Sequence, residues 1–140
     1  MTLQVGVKVL LRNPEGKILL LKRCEEKYGK TNGAWDIVGG RIDPGFTLLD
    51  NLKREVTEET NLSITSEPRL IAAQDIIPND ERHIVRLTYV AETVGEPELD
   101  TTENTEYKWL TFSELVQHTD LDIYVSTLVK DGLIQENSWD

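Results

Sequence analysis

Cysteine is almost missing from this chain. Cys24 is the single one in 140 residues, so no disulfide can form within it, an expectation that suits the reducing cytoplasm. Long hydrophobic runs are missing too. The longest, such as 9–11 and 18–21, fall far short of the roughly 20 residues needed to cross a bilayer. The opening Met1-Thr2-Leu3-Gln4 lacks the basic segment and apolar stretch of a secretory signal. A cytoplasmic location and no membrane contact are therefore expected. Positive charge is scarce: 15 Lys and Arg stand against 25 Asp and Glu, for a net charge of −10. A general nucleic-acid binder carries the opposite sign, so nucleic acid is not an expected partner. Repeats, linkers and low-complexity tracts are absent from the sequence. His83 and His118 have no Cys or His partners at zinc spacing.

What is there is an ordinary composition, 39% apolar and 29% charged, of a length that suits one domain over 1–140 with one core. The acidity serves solubility. A second reading is that divalent cations stand between an acidic protein and a polyphosphate. Charge alone does not choose.

Residues 5–11 read as a buried strand and 17–23 as its returning partner across the turn Asn13-Pro14-Glu15-Gly16. Residues 24–34 read as an exposed loop, and 35–38 as a short apolar segment ending at Gly39-Gly40. Residues 47–60 read as a helix with Leu48, Leu52 and Val56 recurring along one stripe and Leu49 beside them. Asn61 is its expected left-handed stop. Strands are predicted over 70–77, 83–93 and 107–110. Thr111-Phe112-Ser113-Glu114 is a capping-box pattern opening a short helix, and a last helix covers 121–129, ending near Gly132. Hairpins, one central helix, further strands and terminal helices indicate an α+β or α/β arrangement, a mixed sheet with helices on its faces.

The informative stretch is 39–62. Glu55, Glu58 and Glu59 stand three and four apart, so their carboxylates leave one side of the helix. Like charges at these spacings repel, and local helix stability does not explain them. Seen alone they would be a solvated face. A divalent cation would turn that repulsion into attraction, and hard oxygen ligands suit Mg²⁺.

The run from Gly40 through Arg54-Glu55-Val56-Thr57-Glu58-Glu59-Thr60-Asn61-Leu62 resembles the signature of the Nudix (MutT-like) hydrolases: Gly, five residues, Glu, seven residues, then Arg-Glu-apolar-any-Glu-Glu-any-Gly-apolar. Gly40, Arg54, Glu55, Val56, Glu58, Glu59 and Leu62 match in register. The opening hairpin, the approach to Gly39-Gly40, and Trp109 followed by a short helix extend the likeness over most of the chain. Two positions depart. Asn61 replaces Gly, a mild change because Asn also adopts the left-handed conformation. Phe46 replaces a Glu that in the family supports the catalytic loop and metal shell, which implies a looser loop, lower activity or a shifted metal.

The resemblance implies an α/β/α sandwich and a Mg²⁺ site, with Mn²⁺ as a substitute, held by Glu55, Glu58, Glu59 and the carbonyl of Gly40. Glu55 or Glu58 serves as general base, with both alternatives open. Arg54 orients a neighbouring Glu, or else makes an i,i+4 surface pair with Glu58. Glu103 adds a further acid before the late strand, with Asp100 and Glu106 as rivals. Arg23 contacts phosphate, helped by Lys22, Lys27 and Lys30. Tyr28, Trp35 and Phe46 could stack on a base, although Trp35 equally suits the core. His83, beside Arg82 and Arg86, could approach a phosphate or sit on an edge strand.

The function so implied is a pyrophosphohydrolase acting on a small nucleotide, foremost a nucleoside triphosphate cleaved to monophosphate and pyrophosphate. The alternatives are a nucleoside diphosphate sugar hydrolase, and a weakly active or inactive nucleotide-binding module suggested by Phe46. Homodimers are common in the family, but no residue pattern in this chain supplies an interface.

Overall fold

The computed structural model describes residues 1–29 and 33–140. Strand β1 (Thr2–Arg12) runs through the middle of the sheet. The turn after it closes through the amide of Asn13 on the carbonyl of Lys17 at 2.8 Å, with Gly16 at a positive φ of 78°. The chain returns as β2 (Ile18–Arg23). A four-residue helix, α1 (Glu25–Tyr28), then stands inside the segment expected to be a plain loop. Its one buried neighbour, Cys24, is tied down because its amide donates to the carbonyl of Glu103 at 2.9 Å. The next strands, β3 (Trp35–Asp36) and β4 (Val38–Arg41), divide the apolar segment before the long helix α2 (Leu48–Thr60). Then come β5 (Arg69–Ile76), β6 (Arg82–Glu92), β7 (Asn104–Leu110), α3 (Phe112–Gln117) and α4 (Ile123–Lys130).

One edge of β1 pairs in parallel with β6 along its whole length, and β6 pairs antiparallel with β5. The other edge is shared. Near its end β1 meets β2 at Arg12 and Ile18, but between Gly6 and Val9 it meets β4 instead. β2 therefore parts from β1 after the hairpin and pairs with β3 and β7. This split opens the sheet beside β4.

Alternation along the strands supplies two cores, one on each face. Val7, Val9, Leu11, Leu19 and Leu21 join Leu52 and Val56 of α2. Leu10, Ile18 and Leu20 join Leu115, Val125 and Leu128 of α3 and α4. The result is the expected sandwich of helices about a mixed sheet. Helix ends follow local chemistry: the Thr47 hydroxyl caps α2 by accepting from the amide of Asp50 at 3.1 Å, and Asn61 ends it at φ 57°. The capping box at Thr111 and Glu114 forms at α3. Leu48, expected on the buried stripe, is exposed at the first turn, because the sheet is met only from Leu49 onward. Among the described residues, no helix is long and apolar enough to cross a membrane.

Leu52 is fully buried beneath the glutamate face of α2, so Leu52→Ala should cost about 2–5 kcal/mol through lost contacts and the cavity left behind. Urea unfolding measures this. A loss below about 1 kcal/mol would show that α2 is not seated as described.

Candidate active site

The split in the sheet leads into a cleft of about 470 Å³. One wall is the glutamate face of α2 lying over β4. Gly39 lies opposite Lys8 of β1 with φ 138°, and a Cβ there would come within 2.1 Å of the Val7 carbonyl oxygen. At Gly40 a Cβ would lie 2.9 Å from the Glu55 carboxylate. Glycine at 39 lets β4 lie close against β1, glycine at 40 lets the helix approach the strand, and the amide of Gly39 donates to Glu59 Oε2 at 3.0 Å.

The three carboxylates therefore differ in setting. Glu59 is pressed against the strand, and burial, added to by the neighbouring Glu55 charge, pushes its carboxyl up to about 8 despite the ammonium of Lys8 and the amide of Gly39. Burial also raises Glu55, and the charge of Glu58 adds to the effect. Glu58 stands at the rim with its side chain mostly exposed. Arg54 pairs with Asp43, donates to Asn51 Oδ1 at 2.8 Å, and approaches Glu55 at 3.4 Å and Glu58 at 3.8 Å. Arg54 thus contacts Glu55 and also makes the i,i+4 approach to Glu58.

The floor of the cleft is a buried charge cluster that the sequence did not announce. Lys8 Nζ lies 3.1 Å from Asp36 Oδ2 and donates to the carbonyls of Ile37 and Gly39. Arg23 donates to Asp36 at 2.9 Å and to Asp122 at 2.6 Å. Arg86 reaches the same two carboxylates at 3.2 and 3.3 Å. Burial alone would raise Asp36, but Lys8, Arg86 and Arg23 hold it well below the usual carboxylate range. Three cations face two anions, which leaves positive charge beside the acidic wall. The one sequence signal was a basic residue inside each apolar strand, Lys8 between Val7 and Val9 and Arg86 between Val85 and Leu87.

The opposite wall carries Asp100, Glu103 and Asn104. Glu103 is held by the ammonium of Lys27 and the hydroxyl of Tyr28, which together keep its carboxyl low. Glu106 lies outside the cleft and pairs with Lys22 at 3.3 Å. Of the residues expected to bind substrate, Arg23 and Tyr28 line the cleft. Arg23 does so with its guanidinium already committed to Asp36 and Asp122. Trp35 packs on the core of the far face, with Lys108 Nζ 4.0 Å from its ring centre. Phe46 lies on Arg54, and His83 pairs with Asp75 at 2.7 Å on the surface. Lys30 lies outside the described residues.

A carboxyl raised on folding holds its proton more tightly in the folded state. In metal-free protein the contribution of Glu59 is therefore full below the ordinary glutamate range and is lost as pH climbs toward about 8. In chelator, Glu59→Gln should flatten the fall in unfolding free energy between about pH 5 and 8. Equal slopes in variant and wild type would contradict the burial assigned to this side chain.

Comparison with known proteins adds the family. The NUDIX domain model matches residues 2–130. A putative 8-oxo-dGTP diphosphatase of Bacillus subtilis (strain 168) is 32% identical over 105 residues, which is 75% of this chain and 64% of that protein. A MutT-like protein of Streptomyces ambofaciens is 27% identical over 111 residues, 79% of this chain and 66% of that protein. The chain thus spans about two thirds of the length of these curated relatives. Among solved structures, the MutT protein from Methanosarcina mazei Go1 superposes with a TM-score of 0.78 at 26% identity, covering 92% of this chain and 91% of that one. Since the match runs from β1 to the end of α4 and includes the glutamate helix and the glycine pair beneath it, the chain belongs to the NUDIX family.

Proposed function

We propose that the chain is a Mg²⁺-dependent pyrophosphohydrolase that splits a nucleoside triphosphate into the monophosphate and pyrophosphate. The observation that carries this reading is the Glu55–Glu59 pair, packed over Gly39-Gly40 with both carboxyls raised and Glu58 beside them at the cleft rim. Lys8, Arg54 and the Gly39 amide offset that crowding only in part, whereas a divalent cation would relieve it.

The donors fit Mg²⁺ in kind, since all are hard oxygens. Among the described residues, no three acidic, His or Cys side chains form a ready-made metal cage. Mg²⁺ does not need one, because it is ordinarily held by one or two carboxylates and completes its shell with water and substrate phosphate oxygens. Glu55, Glu58, Glu59 and the Gly40 carbonyl would hold it, with Glu103 reaching across once released from Lys27 and Tyr28. Bound there, the metal would shield phosphate charge and make water a better nucleophile.

The chain's own groups do the rest. Glu55 or Glu58 takes the proton of the attacking water. The water oxygen bonds to phosphorus as the bridging P–O bond breaks, and pyrophosphate leaves with its electron pair. The positive floor of Lys8 and Arg23 draws the phosphates into an otherwise acidic molecule, and Tyr28 borders the entrance. The name of the Bacillus relative, an 8-oxo-dGTP diphosphatase, supports a nucleoside triphosphate over a nucleoside diphosphate sugar. A cytoplasmic location accords with the lone, buried Cys24.

Incubation with nucleoside triphosphates, nucleoside diphosphate sugars and dinucleoside polyphosphates, in Mg²⁺ and in chelator, tests the reading. The expected result is monophosphate release that needs Mg²⁺ and falls by about 10²- to 10⁴-fold in Glu58→Gln. Tight nucleotide binding with no product in Mg²⁺ or Mn²⁺ would show a binding module instead.

A further inference from the structure

Arg54 is confined on every side. Its guanidinium pairs with Asp43, and one nitrogen donates to Asn51 Oδ1 at 2.8 Å. The ring of Phe46 lies under it, 4.6 Å from guanidinium carbon to ring centre. Asn51 is fully buried, accepts from the amide of Asp43 at 3.1 Å and donates to the carbonyl of Arg41. The amide of Phe46 closes the same turn on the carbonyl of Asp43 at 3.1 Å. Asp43, Phe46 and Asn51 are thus one hydrogen-bonded frame around a single guanidinium.

That frame decides where the fork of Arg54 points. Glu55 lies only 3.4 Å away, and Glu58 is 3.8 Å from an Nε that is buried yet makes no hydrogen bond among the described residues. A guanidinium without another carboxylate would turn its paired N–H groups onto one of these two in bidentate fashion. It would then occupy oxygens of the acidic wall and draw Glu55 away from Gly40. Asp43 takes one terminal nitrogen and Asn51 Oδ1 takes the other, and the face of Phe46 fixes the plane. The position where the Nudix pattern carries Glu therefore holds an aromatic seat, and the carboxylate comes from three residues earlier.

We infer that Asp43 and Phe46 are positioning residues that clamp Arg54 and, through it, hold the Glu55 carboxylate against Gly40, where it remains open to a divalent cation. The last clause rests on the hydrolase reading, while the clamp itself does not. Asp43 is mostly exposed, and an exposed ion pair adds little to stability. Its loss should therefore alter the site far more than the melting temperature.

The test follows the Arg54 Nε–H resonance in metal-free full-length protein, assigned with Arg54→Lys, together with Mn²⁺ affinity and thermal melting. Slow guanidinium rotation is expected in the wild type. Asp43→Asn should free that rotation and weaken Mn²⁺ binding by about tenfold, the scale of losing a group that orients a metal ligand, with the melting temperature nearly unchanged. Adding Phe46→Glu to Asp43→Asn should restore both signals by returning a carboxylate to Arg54. If Asp43→Asn leaves rotation and Mn²⁺ affinity at wild-type values, the clamp is wrong. If rotation is freed and Mn²⁺ affinity holds, the link to Glu55 is wrong. A wild type that takes up no Mn²⁺, with Arg54 still freed in the variant, would sink the hydrolase reading and uphold the clamp.

Discussion

Gly39 lets β4 lie close against β1, and Gly40 places no side chain between β4 and the glutamate face of α2. A Cβ at the first would strike the backbone of β1, and at the second it would strike the Glu55 carboxylate. From this close approach follow the burial of Glu59, its hydrogen bond from Gly39 and the raised carboxyls of Glu55 and Glu59. The apolar face of the same helix, through Leu52 and Val56, seats it on the sheet. Hydrophobic burial thus holds together carboxylates that would otherwise separate.

The split of β1 between β2 and β4 completes the arrangement. It lets Lys8 emerge from an otherwise apolar strand beneath the acidic wall and gathers Asp36, Arg86 and Asp122 around it and Arg23. A buried cluster of this kind keeps its ions only when every member is paired. Here the excess is cationic and borders the cleft. An acidic lip over a cationic floor suits a polyphosphate carried with a divalent cation better than either ligand alone.

Much of this was legible in the sequence because it is local. The span of α2, its stop at Asn61 and the capping box of α3 depend on neighbours within a turn, and the spacing of Glu55, Glu58 and Glu59 fixes their common side. What depends on distant partners was not legible. The buried cluster draws Lys8, Arg23, Asp36, Arg86 and Asp122 from five separate stretches of chain. The short helix α1 has too few residues to show periodicity, and its hold on Glu103 joins Lys27 and Tyr28 to a residue more than seventy positions away. Trp35, a plausible stacking face by type, packs with the far core because β3 turns it away from the cleft. Phe46 read as a defect in a pattern, and only the structure shows the Arg54 guanidinium resting on its ring.

If the crowded carboxylates of α2 form a divalent-cation site, as proposed, equilibrium unfolding at graded Mg²⁺ concentrations reads it most directly. A cation that binds only the folded wall should raise the unfolding free energy in proportion to the logarithm of its concentration once the site fills. That gain should vanish in a variant carrying both Glu55→Gln and Glu59→Gln. Unfolding curves that ignore Mg²⁺, or that respond equally in wild type and variant, would contradict the account.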